Sequence, residues 1–151
     1  MCGINGLNFK DEHLIKKMSE ITSSRGPDFT GFYNSEHFST AHNRLAIIDP
    51  EERSNQPFVF ENLILSFNGE IYNYLNLKNE LSQKGYKFST NSDTEVILKL
   101  FLEYGKDSFK RLSGIFALSI YDLRSNTLHL IRDQVGVKPL YYYYNSKNNK
   151  F

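Results

Sequence analysis

Met1-Cys2-Gly3-Ile4 opens the chain, and Cys2 is its only cysteine. Removal of Met1 would make Cys2 the first residue, carrying a thiol and a free amine on one carbon skeleton. An α-amino group titrates near ~7.7–8.0 and a free thiol near ~8.5. Close to neutral pH the amine can therefore take the proton of its own thiol, directly or through one water. An N-terminal amine acting as base is an established form of the nucleophile–base pair. The small residue after Met1 favours its removal. The plain structural alternative is a small buried hydrophobe near the start of a strand. Position 2, followed by Gly3, leaves both readings open.

Around that start, composition sets bounds. A chain of 151 residues predicts one domain, and 40% hydrophobic with 15% aromatic content is enough for a sizeable core. The formal net charge of +1 gives no electrostatic case for nucleic acid or an anionic membrane. One cysteine excludes an internal disulfide and a four-cysteine metal site. The first residues lack the basic start and apolar run of a signal peptide, and no run approaches the ~20 apolar residues of a membrane span. No apolar leader marks Cys2 for lipid attachment. A cytoplasmic location is the expectation.

Residues 2–9 are mostly small and apolar and read as a strand. From Asp11 to Thr22, Leu14, Ile15, Met18 and Ile21 share a helical face. A loop over 23–28 ends in Gly26-Pro27-Asp28. Residues 29–49 alternate as two or three short strands, the last being Leu45-Ala46-Ile47-Ile48. Residues 50–57 form a polar loop. Leu63 to Phe67 reads as a buried strand broken at Asn68-Gly69. A helix over about 72–84 buries Tyr74, Leu77 and Leu81 and stops at Gly85. Ser92 and Glu95 have capping-box spacing for a helix with Val96, Ile97, Leu100, Phe101 and Tyr104 inward. Residues 114–121 and 127–131 predict a hairpin around Arg124-Ser125-Asn126. Leu140 to Tyr144 reads as a last, tyrosine-rich strand. Strands and helices fall in separate runs, which predicts an α+β domain of antiparallel sheets with helices packed on them.

Several polar residues sit at element ends, where function concentrates. Arg44 precedes the apolar 45–48 run. A guanidinium there can clamp a carboxylate through two parallel bonds, or simply stand at the surface. Asn68-Gly69 is a hairpin signal, yet the segment after it looks helical. An amide beside a glycine N–H also offers the two donors of an oxyanion hole. Asp93 suits the first turn of a helix by charge alone. The four histidines have no metal-ligand spacing and no evident relation to Cys2. Gly26-Pro27-Asp28 is no phosphate loop.

Six blocks occur in a telling order: Cys2-Gly3-Ile4; Arg25-Gly26-Pro27-Asp28; Arg44-Leu45-Ala46-Ile47; Phe67-Asn68-Gly69-Glu70-Ile71-Tyr72-Asn73; Ser92-Asp93-Thr94-Glu95; and Arg132-Asp133-Gln134-Val135-Gly136-Val137-Lys138-Pro139-Leu140-Tyr141. Over about 2–144 the chain resembles the class II glutamine amidotransferase domain of glutamine-hydrolysing asparagine synthetases. The resemblance implies a four-layer αββα N-terminal-nucleophile hydrolase sandwich of two antiparallel sheets. It implies Cys2 as nucleophile and its amine as base, and Asn68 with the Gly69 N–H as oxyanion hole. Arg44 matches the arginine that holds the α-carboxylate of L-glutamine, and Glu70 and Asp93 match acids that hold its α-ammonium. Leu45, Ala46, Ile47 and Ile48 line the same pocket through backbone groups. No cofactor or metal serves this half-reaction.

The departures carry information. Family members often have histidine directly before Arg-Gly-Pro-Asp, where this chain has Ser24. The family's domain also runs on beyond this length and is followed by an ATP- and Mg²⁺-dependent synthetase domain. The resemblance thus implies that 1–151 is a glutaminase domain truncated at its C-terminus, working with a synthetase domain or subunit in cis or trans; a homodimer stays open. Three alternatives stand beside this reading: delivery of ammonia to another acceptor, such as a surface-polysaccharide sugar acid; a non-catalytic module of the same fold; and a different N-terminal-nucleophile amidase acting on another amide.

Overall fold

The computed structural model describes all of residues 1–151. Its elements are β1 (Gly3–Leu7), α1 (Glu12–Thr22), β2 (Phe29–Asn34), β3 (Ser39–Arg44), β4 (Phe58–Phe60), β5 (Leu63–Ile71), α2 (Tyr74–Gln83), α3 (Asp93–Tyr104), β6 (Gly114–Asp122) and β7 (Thr127–Arg132). The strands form a small three-stranded sheet, β1-β3-β2, and a larger four-stranded sheet, β4-β5-β6-β7. Every pairing is antiparallel.

The layers follow from which residues each element can bury. Asp11 caps α1 by accepting the Leu14 amide at 2.8 Å. The helix then buries Ile15 against Leu7 and Ala41 of the small sheet. On the large sheet, alternate residues of β5 and β6 (Leu65, Phe67, Phe116 and Leu118) pack against Leu77 and Leu81 of α2 and Val96, Ile97 and Leu100 of α3. The intervening residues turn the other way, where Ile64 and Tyr121 meet Phe38 from beside β3. The order is therefore α1, small sheet, large sheet, α2 with α3: the αββα sandwich that the resemblance implies.

Four local readings are corrected. First, β5 does not break at Asn68-Gly69 but continues to Ile71, paired with β6 throughout. Asn and Gly are poor strand formers in isolation, and here the ladder to β6 overrides that preference. Second, Leu45–Ile48 is a loop, not a strand. The Ala46 amide is taken by Asp28 Oδ2 at 2.8 Å and the Leu45 amide points at Cys2 Sγ, so neither serves a ladder. Third, residues 140–144 form no strand; Tyr141 is 91% exposed, and no neighbour satisfies a ladder there. Fourth, Ser92 does cap α3, accepting the Thr94 amide at 3.1 Å, but Glu95 does not close the box. Its carboxylate instead takes the Ser89 and Thr90 amides and pairs with buried Lys99 at 2.6 Å.

Candidate active site

The pairing of Gly3 with Asn43 brings Cys2 to the end of β3. There the Leu45 amide donates to Cys2 Sγ at 3.4 Å. The Cys2 N–H donates to Asn68 Oδ1 at 3.1 Å, across to the large sheet. Arg25 Nε holds the Cys2 carbonyl at 3.2 Å. With Met1 attached, the Cys2 nitrogen is a peptide amide; with Met1 removed, it is the chain's amine in the same place. Because Asn68 Oδ1 faces an N–H, its Nδ2 is the end left to donate.

Gly69 supplies a second donor for a topological reason. Gly69 lies opposite Phe116. Phe116 gives its N–H to Asp133 Oδ2 and takes the Asp133 N–H on its carbonyl, so its peptide groups face away from β5. Partners in such a non-hydrogen-bonded pair turn away from each other. The Gly69 N–H therefore points to the β4 side, and β4 pairs no further along β5 than Leu65. On that open edge Gln56 Oε1 takes the Phe67 N–H at 2.7 Å and Asp93 Oδ2 takes the Ile71 N–H at 3.1 Å. Gly69 lies between them. A Cβ at 69 would come within 2.1 Å of the Ile115 carbonyl, so only glycine allows this approach to β6.

One cleft brings together Cys2, Arg44, Leu45, Ile47, Ile48, Asn68, Gly69, Glu70 and Asp93. Ala46 is the one expected residue outside it, its amide bound to Asp28. Arg44 differs from a free clamp. Its Nη1 donates to Glu51 O at 3.0 Å and Asn55 Oδ1 at 2.8 Å. Its Nη2 donates to Ile48 O at 3.3 Å and Asp49 O at 2.6 Å. The guanidinium thus shapes the 48–55 loop that walls the cleft and meets the cleft with its charge. Asp93 is buried, and burial pushes its carboxyl up to about 6 despite amide bonds from Ile71 and Thr94. A cationic ligand group would hold it ionised. Glu70 sits beside it, half-buried.

Sequence reasoning did not find several neighbours. Ser54, Gln56, Thr94 and Lys138 also line the cleft. Arg25 and Asp28 act from behind it, on the Cys2 carbonyl and the Ala46 amide. The Arg-Gly-Pro-Asp block was the available signal for that pair. Nothing local distinguishes Gln56.

The sandwich is that of the N-terminal-nucleophile hydrolases, and solved structures share it. Glutamine phosphoribosylpyrophosphate amidotransferase from B. subtilis superposes with a TM-score of 0.70 at 21% identity, over 92% of this chain and 38% of that one. An allosteric regulatory enzyme of purine biosynthesis gives 0.62 at 24% identity, over 90% and 32%. At such identities the likeness speaks to fold alone. Sequence narrows the class further: the glutamine amidotransferase domain matches residues 1–151, and this chain belongs to that family. Similar proteins include asparagine synthetase [glutamine-hydrolyzing] 1 of Bacillus subtilis, 41% identical over 94% of this chain and 24% of the relative. Asparagine synthetase [glutamine-hydrolyzing] 1 of Arabidopsis thaliana is 40% identical over 93% and 25%. A putative asparagine synthetase [glutamine-hydrolyzing] of Methanocaldococcus jannaschii is 38% identical over 95% and 32%. The chain spans about a quarter to a third of the length of these curated relatives.

Proposed function

We propose that this domain, once Met1 is removed, hydrolyses L-glutamine to glutamate and ammonia through Cys2. The carrying observation is that one cleft holds Cys2, whose nitrogen donates to Asn68 Oδ1 at 3.1 Å, together with two donors free to face a ligand, Asn68 Nδ2 and the Gly69 N–H. The amine takes the thiol proton, and the thiolate adds to the side-chain amide carbon. The carbonyl oxygen becomes an oxyanion facing those donors, which act most strongly on the charge of the transition state. Collapse breaks the C–N bond as the amine returns its proton to the leaving nitrogen, and ammonia departs. Water then hydrolyses the thioester to glutamate, regenerating the thiol.

Arg44 supplies the positive charge for the α-carboxylate, and Asp93 with Glu70 the negative charge for the α-ammonium. A site with a partner for each charge favours a free amino acid over a simple amide. The similarity to glutamine-hydrolysing asparagine synthetases supports delivery of the ammonia to an ATP- and Mg²⁺-dependent amidation by a synthetase domain or subunit beyond these residues. The test is ammonia release from glutamine by chain whose Met1 removal is verified by intact mass. Turnover of glutamine, with none of N-acetylglutamine or of the Met1-retaining chain, is expected. Equal turnover with Met1 retained would sink the amine's role as base.

A further inference from the structure

The open edge of β5 poses a problem that two side chains solve. Beyond Leu65 no strand lies beside it, yet the Phe67 peptide, next to Asn68, is buried and needs both a donor and an acceptor. Gln56 Oε1 accepts the Phe67 N–H at 2.7 Å, and His42 Nε2 lies 3.0 Å from the Phe67 carbonyl. A carbonyl only accepts, so His42 Nε2 carries the proton and Nδ1 is bare. That Nδ1 has no hydrogen-bond partner, although His42 is fully buried. Within the chain the His42 side chain thus makes one polar contact, with the Phe67 carbonyl. Gln56 is equally committed: its backbone carbonyl abuts Gly31, where a Cβ would lie 2.1 Å away, and its amide end points to Thr94 Oγ1 at 3.5 Å.

We propose that His42 and Gln56 are positioning residues that stand in for the absent neighbouring strand and hold β5 so that the Gly69 N–H stays the unclaimed donor for the oxyanion. The proposal rests on the glutamine-hydrolysis reading. The two side chains grip the peptide on one side of Gly69 as Asp93 grips the Ile71 amide on the other. If either grip on Phe67 is lost, the strand can shift and the Gly69 donor loses its aim. Substrate affinity, which rests largely on Arg44 of β3 and Asp93 of α3, both off β5, is then left largely as it was.

The test uses Met1-free chain, with wild type first shown to release ammonia from glutamine. His42→Met and Gln56→Met should each lower kcat about tenfold with KM changed less than about twofold. That is less than the 10²–10³ of removing an oxyanion donor outright, and it is the signature of a contact that matters in the transition state. His42→Gln, whose amide nitrogen can reach where Nε2 was, should keep kcat within about threefold, whereas the shorter His42→Asn should not. Folded methionine variants with wild-type kcat, or kcat and KM failing together, would overturn the proposal. So would His42→Gln proving as poor as His42→Asn, a comparison that stands if the methionine variants do not fold. If wild type releases no ammonia, it is the glutamine reading that fails. The brace is then decided by exchange of the Phe67 amide, which should quicken about tenfold in Gln56→Met; unchanged protection overturns it.

Discussion

The two faces of the large sheet are built from alternate residues of the same strands, and they are made of different things. Toward α2 and α3, β5 and β6 turn Leu63, Leu65, Phe67, Phe116, Leu118 and Ile120, all in one apolar cluster. Toward the small sheet, β5 turns Ile64, Ser66, Asn68 and Glu70. Ile64 joins an apolar cluster with Phe38 and Tyr121. Ser66 meets the Thr40 hydroxyl at 3.2 Å, and Asn68 and Glu70 line the cleft. A period of two thus divides one strand between stability and chemistry. The helix-side face removes apolar area from water and contributes accordingly. The inner face exchanges water's hydrogen bonds for the protein's own, a small net gain, but it fixes where donors point.

The division breaks hardest on the helix side. Leu118 is fully buried in the cluster. Leu118→Ala should cost about 2–5 kcal/mol, transfer and cavity together, read from denaturant unfolding. Glutamine turnover per folded molecule should be unchanged. A matching fall in kcat would show that the two faces are not separable. On the inner face the expectation inverts. Asn68→Ala should lower kcat about 10²–10³-fold, with KM little altered and unfolding midpoints close to wild type. Unfolding of the domain by this change would return Asn68 to a purely structural role.

These contrasts also explain what could be read from the chain. The α+β class, α3 and the β6–β7 hairpin follow from periodicity and local caps, which act over a few residues; α1 forms where its cap and pattern put it, but it turns Ile15 and Met18 inward and leaves Leu14 and Ile21 of the expected face exposed. Asn68 and Gly69 were visible as a pair of donors, but the strand that carries them was not, because their local preference is for a turn and only β6 enforces extension. Leu45–Ile48 has the composition of a strand and is a loop, because its amides are drawn to Asp28 and Cys2, far away in sequence. The bonds that commit Arg44 to carbonyls of its own loop are equally hidden. His42 and Gln56 are the extreme case. Their role exists only because β4 is short, and no property of residues 42 or 56 announces that.

A smaller effect comes from the two titrating groups at this junction. Burial, with the nearby Arg44 charge, holds His42 at about 4 instead of 6.5, against the Phe67 carbonyl bond that raises it. The folded chain thus binds this proton less readily than the unfolded one. The stability of neutral His42 is complete above about 6.5 and is lost as pH falls from there toward 4. Asp93, raised by burial from 3.8 to about 6, has the opposite slope, costing stability as pH rises between those values. The two offset each other between about 4 and 6. Removing one exposes the other: as pH rises from 4 to 6.5, wild type should gain up to about 3 kcal/mol over His42→Gln. Denaturant titrations at steps across that range check it, and parallel curves would remove His42 from the account.

The least effect should come from Ser66, and it sharpens the comparison within the inner face itself. Thr40 Oγ1 already donates to the Asn5 carbonyl at 2.8 Å. In its 3.2 Å contact with Ser66 it must therefore accept, with Ser66 as donor. Ser66→Ala deletes that donor and strands none, since Thr40 keeps its own bond to Asn5. The loss should be about 0.5–1.5 kcal/mol in unfolding free energy. Ser66 lies two residues from Asn68 on the same face, yet it is not among the residues of the cleft. Its loss should leave kcat and KM for glutamine at wild-type values. If kcat instead fell as it does for Asn68→Ala, the hydroxyl layer and the cleft would be one coupled unit, and the inner face could not be divided into a fastener and a site.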